Sequence, residues 1–102
     1  MSVVVIIKFP GAKVDKFKEV YGRHAETMAA ISAEGRSKGA IHHMFLADEN
    51  GDMMVIDEWG SMAEFDAFFT AQEDIKAVVG EIGVTGPPTA VSYSVIETDD
   101  RF

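Results

Sequence analysis

The sequence predicts a small α+β domain with the element order β-α-β-β-α-β. A β-branched run begins the chain, an Asn-Gly pair separates two central apolar runs, and apolar residues at helical spacing precede and follow those runs. At 102 residues, with 47% apolar and 25% charged residues, the chain is long enough for one hydrophobic core and too short for two. We therefore expect one domain over residues 1–102, with a loose tail from about residue 97.

The first strand and the first helix follow directly from residue spacing. Val3–Ile7 is β-branched throughout and precedes Pro10-Gly11, as is typical of a buried strand. We expect a helix from Lys13 that ends near Gly35 or Gly39, because glycine readily adopts the left-handed conformation that closes helices. Its apolar stripe consists of Val14, Phe17, Val20, Tyr21, His24, Met28 and Ile31.

The centre of the chain predicts a β-hairpin. Two apolar runs, 40–47 and 53–59, flank Asn50-Gly51, and this dipeptide is the strongest short hairpin signal. A second helix follows, since Ser61 and Glu64 have the spacing of a capping box.

Phe65, Phe68 and Phe69 continue at helical spacing, with a break expected near residues 71–72. Gly86-Pro87-Pro88 ends the helical region, and 90–96 forms the last strand. The element order is that of the ferredoxin-like fold, in which two helices cover one face of a four-stranded antiparallel sheet.

The register of the hairpin assigns its residues to two faces. If Asn50 and Gly51 alone form the loop, His42 lies opposite Trp59 and His43 lies opposite Glu58. One face then carries Ile41, His43, Phe45, Ala47, Met54, Ile56 and Glu58, and the other carries His42, Met44, Leu46, Met53, Val55, Asp57 and Trp59. Neither face is polar. Because one layer of helices covers only one face, we expect a second copy of the chain to cover the other in a homodimer.

Charge and composition exclude several classes of function. Nine Lys and Arg against seventeen Asp and Glu give a net charge of -8, which repels phosphate backbones and anionic membrane surfaces. We expect neither a nucleic-acid nor a membrane partner. The absence of cysteine excludes disulfides and thiol nucleophiles, and it fits a cytoplasmic location. Phosphate-binding and dinucleotide-binding motifs are also lacking.

Three segments carry a resemblance to a known family: Phe9-Pro10, Glu58-Trp59-Gly60-Ser61 with Phe65 after it, and 86–91 before the last strand. With the element order, they make the chain similar to the antibiotic biosynthesis monooxygenase family of dimeric α/β barrel proteins. The resemblance covers nearly the whole chain. It implies two ferredoxin-like subunits packed sheet to sheet, each with a pocket between its sheet and its helices.

Members of this family that make quinones from aromatic polyketides without a cofactor carry a tryptophan where Trp59 stands. They carry an asparagine in place of Val55 and a tyrosine in place of Phe65, so only the tryptophan is retained here. The haem-degrading branch uses an asparagine, a tryptophan and a histidine near Val5, Phe68 and Ala77, and none is present. We therefore exclude haem breakdown by that route.

The resemblance also orients the sheet, because it places Trp59 and Val55 under the helices. By parity His42, Met44 and Asp57 share that face, and the dimer interface receives His43, Phe45, Ile56 and Glu58. The predicted ligand-binding residues are Trp59, Tyr21, His24, Met44, Val55 and Phe65.

His42 is the candidate acid or base, since an imidazole exchanges protons near neutral pH, and Asp57 is its candidate orienting partner. The alternative is that His42 is a core histidine that only satisfies a hydrogen bond. Tyr21 and His24 are either pocket walls or partners in a hydrogen bond between helix and sheet.

We expect no metal site, because His42 and His43 are neighbours on a strand and point to opposite faces. We also expect no cofactor. Two functions stay open: a cofactor-independent oxygenase or isomerase-like enzyme acting on a small hydrophobic compound, aromatic or quinone-type, and a non-catalytic small-molecule binding protein with the same pocket.

Overall fold

The computed structural model describes all 102 residues and has the predicted α+β architecture. Eight elements follow one another along the chain, because each predicted helical region consists of two helices. They are β1 (Val3–Lys13), α1 (Val14–Arg23), α2 (Ala25–Lys38), β2 (Ala40–Ala47), β3 (Asp52–Trp59), α3 (Met62–Ala71), α4 (Glu73–Ile82) and β4 (Thr89–Ser94).

The four strands form one antiparallel sheet in the order β2-β3-β1-β4, which is the ferredoxin-like arrangement. Strand β1 lies at the centre, paired with β3 on one side and β4 on the other. All four helices pack on one face of the sheet, called here the inner face. The opposite, outer face is covered by no helix.

The predicted hairpin register is wrong by one residue. The loop has three residues, Glu49 to Gly51, and Asp48 pairs with Asp52 across its base through a backbone bond of 3.0 Å. Gly51 has a φ of 78°, and its N–H donates to the carbonyl of Asp48. A turn followed by a left-handed glycine is the usual three-residue hairpin loop, and it changes the register of the two-residue form by one position.

This change exchanges the two faces of β2. His42 lies opposite Glu58 and His43 lies opposite Asp57. Because side chains alternate along a strand, His43 and Phe45 belong to the inner face and His42, Met44 and Leu46 to the outer face. The predicted face of the β3 residues is unchanged.

Each of the two helical regions is interrupted once, and only one of these two breaks was predicted. The predicted break in the second region is confirmed, since Gln72 separates α3 from α4. An unpredicted break at His24 separates α1 from α2, and α2 ends at Gly39, whose φ is 123°. The predicted cap is also present, because Ser61 Oγ accepts a hydrogen bond from the Glu64 N–H at 3.2 Å.

The hydrophobic core lies between the inner face and the helices. Trp59, Val5 and Val20 are its largest fully buried side chains. The buried members are Val5, Ile7, Phe9, Ala12, Val20, Met53, Val55, Trp59, Phe65, Val78 and Ile82. None of the four helices has the length and apolar character to cross a membrane.

Beyond β4 the chain has no helix or strand, and one of its last residues contacts the sheet. Arg101 pairs with Glu58 of β3 on the outer face and also contacts Glu97. The tail therefore returns across the sheet, although its apolar ends Ile96 and Phe102 stay exposed.

The hairpin loop can be tested through its glycine. Gly51→Ala should lower the free energy of unfolding by about 1 to 2 kcal/mol, because a side chain is disfavoured at positive φ even though nothing crowds the site. Gly80→Ala, in α4 and equally uncrowded, should instead raise it by about 0.5 to 1 kcal/mol. Urea denaturation measures both. An unchanged Gly51→Ala variant would contradict the left-handed loop.

Candidate functional site

A cavity of about 320 Å³ lies between the inner face of the sheet and helices α2, α3 and α4. Its volume falls within the range of small-molecule sites. Sixteen of its twenty-two lining residues are hydrophobic, so most of its surface offers only apolar contact. The polar side chains are few, and they are concentrated on β2, β3 and α2.

Three side chains form a hydrogen-bonded chain along this polar wall. Nδ1 of His43 lies 2.6 Å from Oδ1 of Asp57, and the indole N–H of Trp59 donates to Oδ2 of the same carboxylate at 3.3 Å. The register produces this arrangement directly: Asp57 lies opposite His43, and Trp59 follows two residues later on the same face of β3. Both carboxylate oxygens of Asp57 are thereby satisfied.

The burial of these groups is graded from core to solvent. The Trp59 residue is 1% exposed, the Asp57 side chain is 14% exposed and the His43 side chain is 40% exposed. His43 also packs edge-on against Phe45, with ring centroids 4.9 Å apart. The buried Trp59 thus hydrogen-bonds the Asp57 carboxylate, which in turn hydrogen-bonds the His43 imidazole at the accessible end of the cavity.

A second cavity of about 300 Å³ adjoins the first. The two share five lining residues at a common boundary, which we call the junction: Met28, Ser32, Arg36, His43 and Phe45. Because His43 lines both cavities, a ligand that enters through the second would pass its imidazole before reaching the apolar interior.

Two predicted ligand-binding residues of β3 lie where the resemblance implies. Val55 and Trp59 line the main cavity from the sheet. Phe65 does not line it and instead supports the wall from behind, packing edge-on against Trp59 at 6.0 Å and stacking on Phe69 at 5.4 Å between ring centroids.

The other three predicted ligand-binding residues lie outside the main cavity. Tyr21 lines only the adjoining cavity. His24 lies at the break between α1 and α2 and pairs with Glu81 of α4, a contact between two helices rather than the alternative bond between helix and sheet. Met44 is on the outer face and 53% exposed, because the shifted register reverses its direction.

The predicted pairing of His42 with Asp57 is wrong for the same reason. His42 borders the cavity from the edge strand, but its Nδ1 lies 2.7 Å from Oε1 of Glu58, on the outer face. The expected pairing of His43 with Glu58 is also wrong, because His43 lies opposite Asp57. The sequence correctly predicts a histidine beside Asp57, but the three-residue loop makes that histidine His43 instead of His42.

Glu58 is the centre of a separate polar cluster on the outer face. It is only 7% exposed, and it accepts hydrogen bonds from Ser2 at 2.6 Å, from His42 and from Arg101. These bonds, that of Ser2 foremost, outweigh burial and lower the pKa of Glu58 to about 2. Arg101 in turn has a raised pKa, chiefly through its bond to Glu58.

Arg36 and Ser32 of α2 are cavity residues that sequence patterns did not reveal. Both are exposed positions on a helix whose apolar stripe is short, so their spacing resembles an ordinary solvated face. No group of three or more His, Cys, Asp or Glu side chains is placed where it could hold a metal ion.

Comparison with solved structures confirms the resemblance at the level of the fold. A monooxygenase from the gene ActVA-Orf6 of Streptomyces coelicolor, solved in complex with nanaomycin D, superposes with a TM-score of 0.69 at 18% identity, covering 95% of this chain and 89% of that one. SnoaB, a cofactor-independent oxygenase from Streptomyces nogalater, gives 0.61 at 14% identity, covering 98% and 97%. The chain therefore has the fold of antibiotic biosynthesis monooxygenases.

A third similar structure is a dimeric ferredoxin-like protein of unknown function from Thermobifida fusca, with a TM-score of 0.60 at 20% identity over 93% of this chain and 92% of that one. No protein-family model and no curated protein sequence matches the chain.

The outer-face cluster predicts how stability changes in acid. A carboxyl group whose pKa is lower in the folded state binds protons more weakly there than in the unfolded chain. Glu58 therefore stabilises the fold above its ordinary pKa of 4.5, and this contribution is lost as the pH falls toward 2. Glu58→Gln should flatten the fall in the free energy of unfolding between pH 5 and about 2.5, measured by urea denaturation.

Glu49→Gln is the matched control, because Glu49 is exposed in the hairpin loop and has no side-chain partner. It should leave the acid dependence unchanged. An equal slope for the Glu58→Gln variant and the native chain would contradict the cluster.

Proposed function

We propose that the protein is a cofactor-independent oxygenase that oxidises a small aromatic phenol to a quinone. The single observation that carries this proposal is the His43–Asp57 pair at the mouth of an apolar cavity of ligand size. The fold shared with SnoaB and with the ActVA-Orf6 monooxygenase supports the reaction class.

An oxygenase that uses no cofactor must take its electrons from the substrate. A neutral phenol reacts slowly with dioxygen, whereas its phenolate is electron-rich, so the group that the protein must supply is a base. In the overall reaction one ring C–H becomes a carbonyl: the phenol and one O₂ give a quinone and one water. The oxidant is dioxygen from solution, and the proton lost from the phenol goes to the base.

His43 has the arrangement that this base requires. An ionised Asp57 can only accept hydrogen bonds, so Nδ1 of His43 carries the proton that is shared with Oδ1. The neutral ring then presents Nε2 as an acceptor, and Nε2 has no hydrogen-bond partner within the chain. When Nε2 takes up the phenol proton, the adjacent carboxylate stabilises the resulting imidazolium.

The apolar interior suits the flat body of such a substrate. Phe68 packs against Trp59 with ring centroids 5.1 Å apart, and Phe69 lies close by on the same helix. These rings offer aromatic contact and exclude water from the reacting phenolate.

A non-catalytic binding protein is the second candidate, and a specific observation favours it. Val55 and Phe65 stand where similar quinone-forming oxygenases carry an amide and a phenol, and both are buried apolar residues here. A site with one base and few other polar groups could bind an aromatic ligand without catalysing its oxidation.

We also propose that the protein is a homodimer packed through its outer faces, located in the cytoplasm. The outer face presents Met44, Leu46, Val91 and Tyr93, which are between 37% and 56% exposed. Patches of this kind are uncommon on monomers. A dimeric protein of the same fold supports the proposal.

The dimer is tested by two neighbouring substitutions on opposite faces of β4. Val91→Asp should shift the protein to an 11.1 kDa monomer, because a carboxylate would be desolvated at the interface. Ser92→Asp, which points to the inner face where no helix covers it, should remain dimeric. Sedimentation velocity at micromolar concentration measures both. A monomeric native protein would contradict the outer-face dimer.

The catalytic proposal is tested by oxygen consumption with a panel of polycyclic phenols that have an unsubstituted ring position, without added metal or flavin. The expected result is one quinone per O₂ consumed. His43→Ala should lower kcat by roughly 10² to 10⁴, the range for loss of a general base. His24→Gln is the matched control: His24 lies outside both cavities, pairs with Glu81 of α4, and its substitution should retain near-native turnover.

Two outcomes would overturn the assignment. Full activity of the His43→Ala variant would remove His43 as the base. Tight binding of panel compounds with no turnover would favour the binding protein instead.

A further inference from the structure

Arg36 is the only Lys or Arg side chain that lines either cavity. It forms no ion pair and no side-chain hydrogen bond within the chain, whereas the other two arginines, Arg23 and Arg101, both pair with glutamates. In a chain of net charge -8, this places an unpaired cation at the junction of the two cavities.

The neighbours of Arg36 do not neutralise it. Asp57 is the only acidic residue that lines either cavity, and both of its oxygens are already bonded to His43 and Trp59. Ser32, one helical turn before Arg36, lines the same junction and adds a hydroxyl donor. The junction therefore presents a guanidinium, a hydroxyl and an imidazole next to an apolar interior.

We propose that the ligand of this cavity is an aromatic anion, a flat ring system that carries a carboxylate or a comparable acidic group. The rings would occupy the apolar interior, and the acidic group would lie at the junction against Arg36 and Ser32. A guanidinium binds a planar carboxylate through two parallel hydrogen bonds, which fixes orientation as well as adding affinity.

This inference rests on the proposed function for the identity of the cavity, and it adds the substrate class. It also supplies a reason for selectivity. The overall negative field of the protein disfavours the binding of anions in general. Only an anion that contacts the guanidinium of Arg36 at the junction is therefore attracted. An acidic group anchored there would hold the ring system beside His43, which lines the same junction.

Two fluorescent dyes test the inference without requiring turnover. 8-Anilinonaphthalene-1-sulfonate and N-phenyl-1-naphthylamine share one ring system and differ by the sulfonate. Arg36→Gln should weaken binding of the sulfonate dye about tenfold, equal to about 1.4 kcal/mol, and leave the uncharged dye within about twofold. Arg36→Lys should recover part of the loss, and the two dyes should compete for one cavity.

Lys38→Gln is the matched charge control, since Lys38 lies in the last turn of the same helix, outside both cavities and without a side-chain partner. It should leave both dyes within about twofold. An equal loss in the Lys38→Gln and Arg36→Gln variants would show a bulk charge effect and overturn the inference.

The remaining outcomes separate this inference from the proposed function. If Arg36→Gln leaves the sulfonate dye unchanged, the anion site is overturned, whereas oxidation of neutral phenols can still be measured by oxygen consumption. If the native protein binds neither dye, the anion site is overturned as well, and the oxygen assay decides the proposed function by itself.

Discussion

The length of one hairpin loop determines which chemistry the inner face can perform. Asp48 stabilises this loop through two hydrogen bonds. Its carboxylate accepts one from the N–H of Asn50 and one from the N–H of Asp52, each at 2.9 Å. Gly51 supplies the left-handed residue that a three-residue loop needs. Because side chains alternate along a strand, this one additional loop residue places His43 rather than His42 opposite Asp57 on the inner face. The His43–Asp57 pair and the outer-face partner of Glu58 both depend on it.

The element order could be predicted from the sequence because each signal is local. β-branched runs, helical spacing, the Ser61 cap and the Asn50-Gly51 turn all act within a few residues. The placement of Trp59 and Val55 in the cavity was also predictable, since the resemblance orients β3. The register was not, because an Asn-Gly pair fits both two- and three-residue loops, and only side-chain bonds such as those of Asp48 distinguish them.

The missed site residues share a physical cause. Arg36 and Ser32 belong to the cavity through the way α2 packs over β2, and no pattern within α2 marks that contact. Tyr21 and His24 were expected above the cavity because they continue the apolar stripe of one long helix. The break at His24 divides that helix, so Tyr21 reaches only the adjoining cavity and His24 turns to Glu81.

Two adjacent histidines, each bonded to a carboxylate, are suited to different tasks by their surroundings. Glu58 is held by donors from three distant segments, the chain start, β2 and the C-terminal tail, so its role is to join those segments. Asp57 is held by Trp59 and His43 alone, both on the cavity side, and its histidine keeps a free nitrogen at the mouth of an apolar space. A carboxylate satisfied from several directions stabilises a fold, whereas one that fixes a single accessible imidazole prepares it to exchange a proton. That difference in partners, rather than the identity of the residues, is the physical reason for proposing His43 as the base.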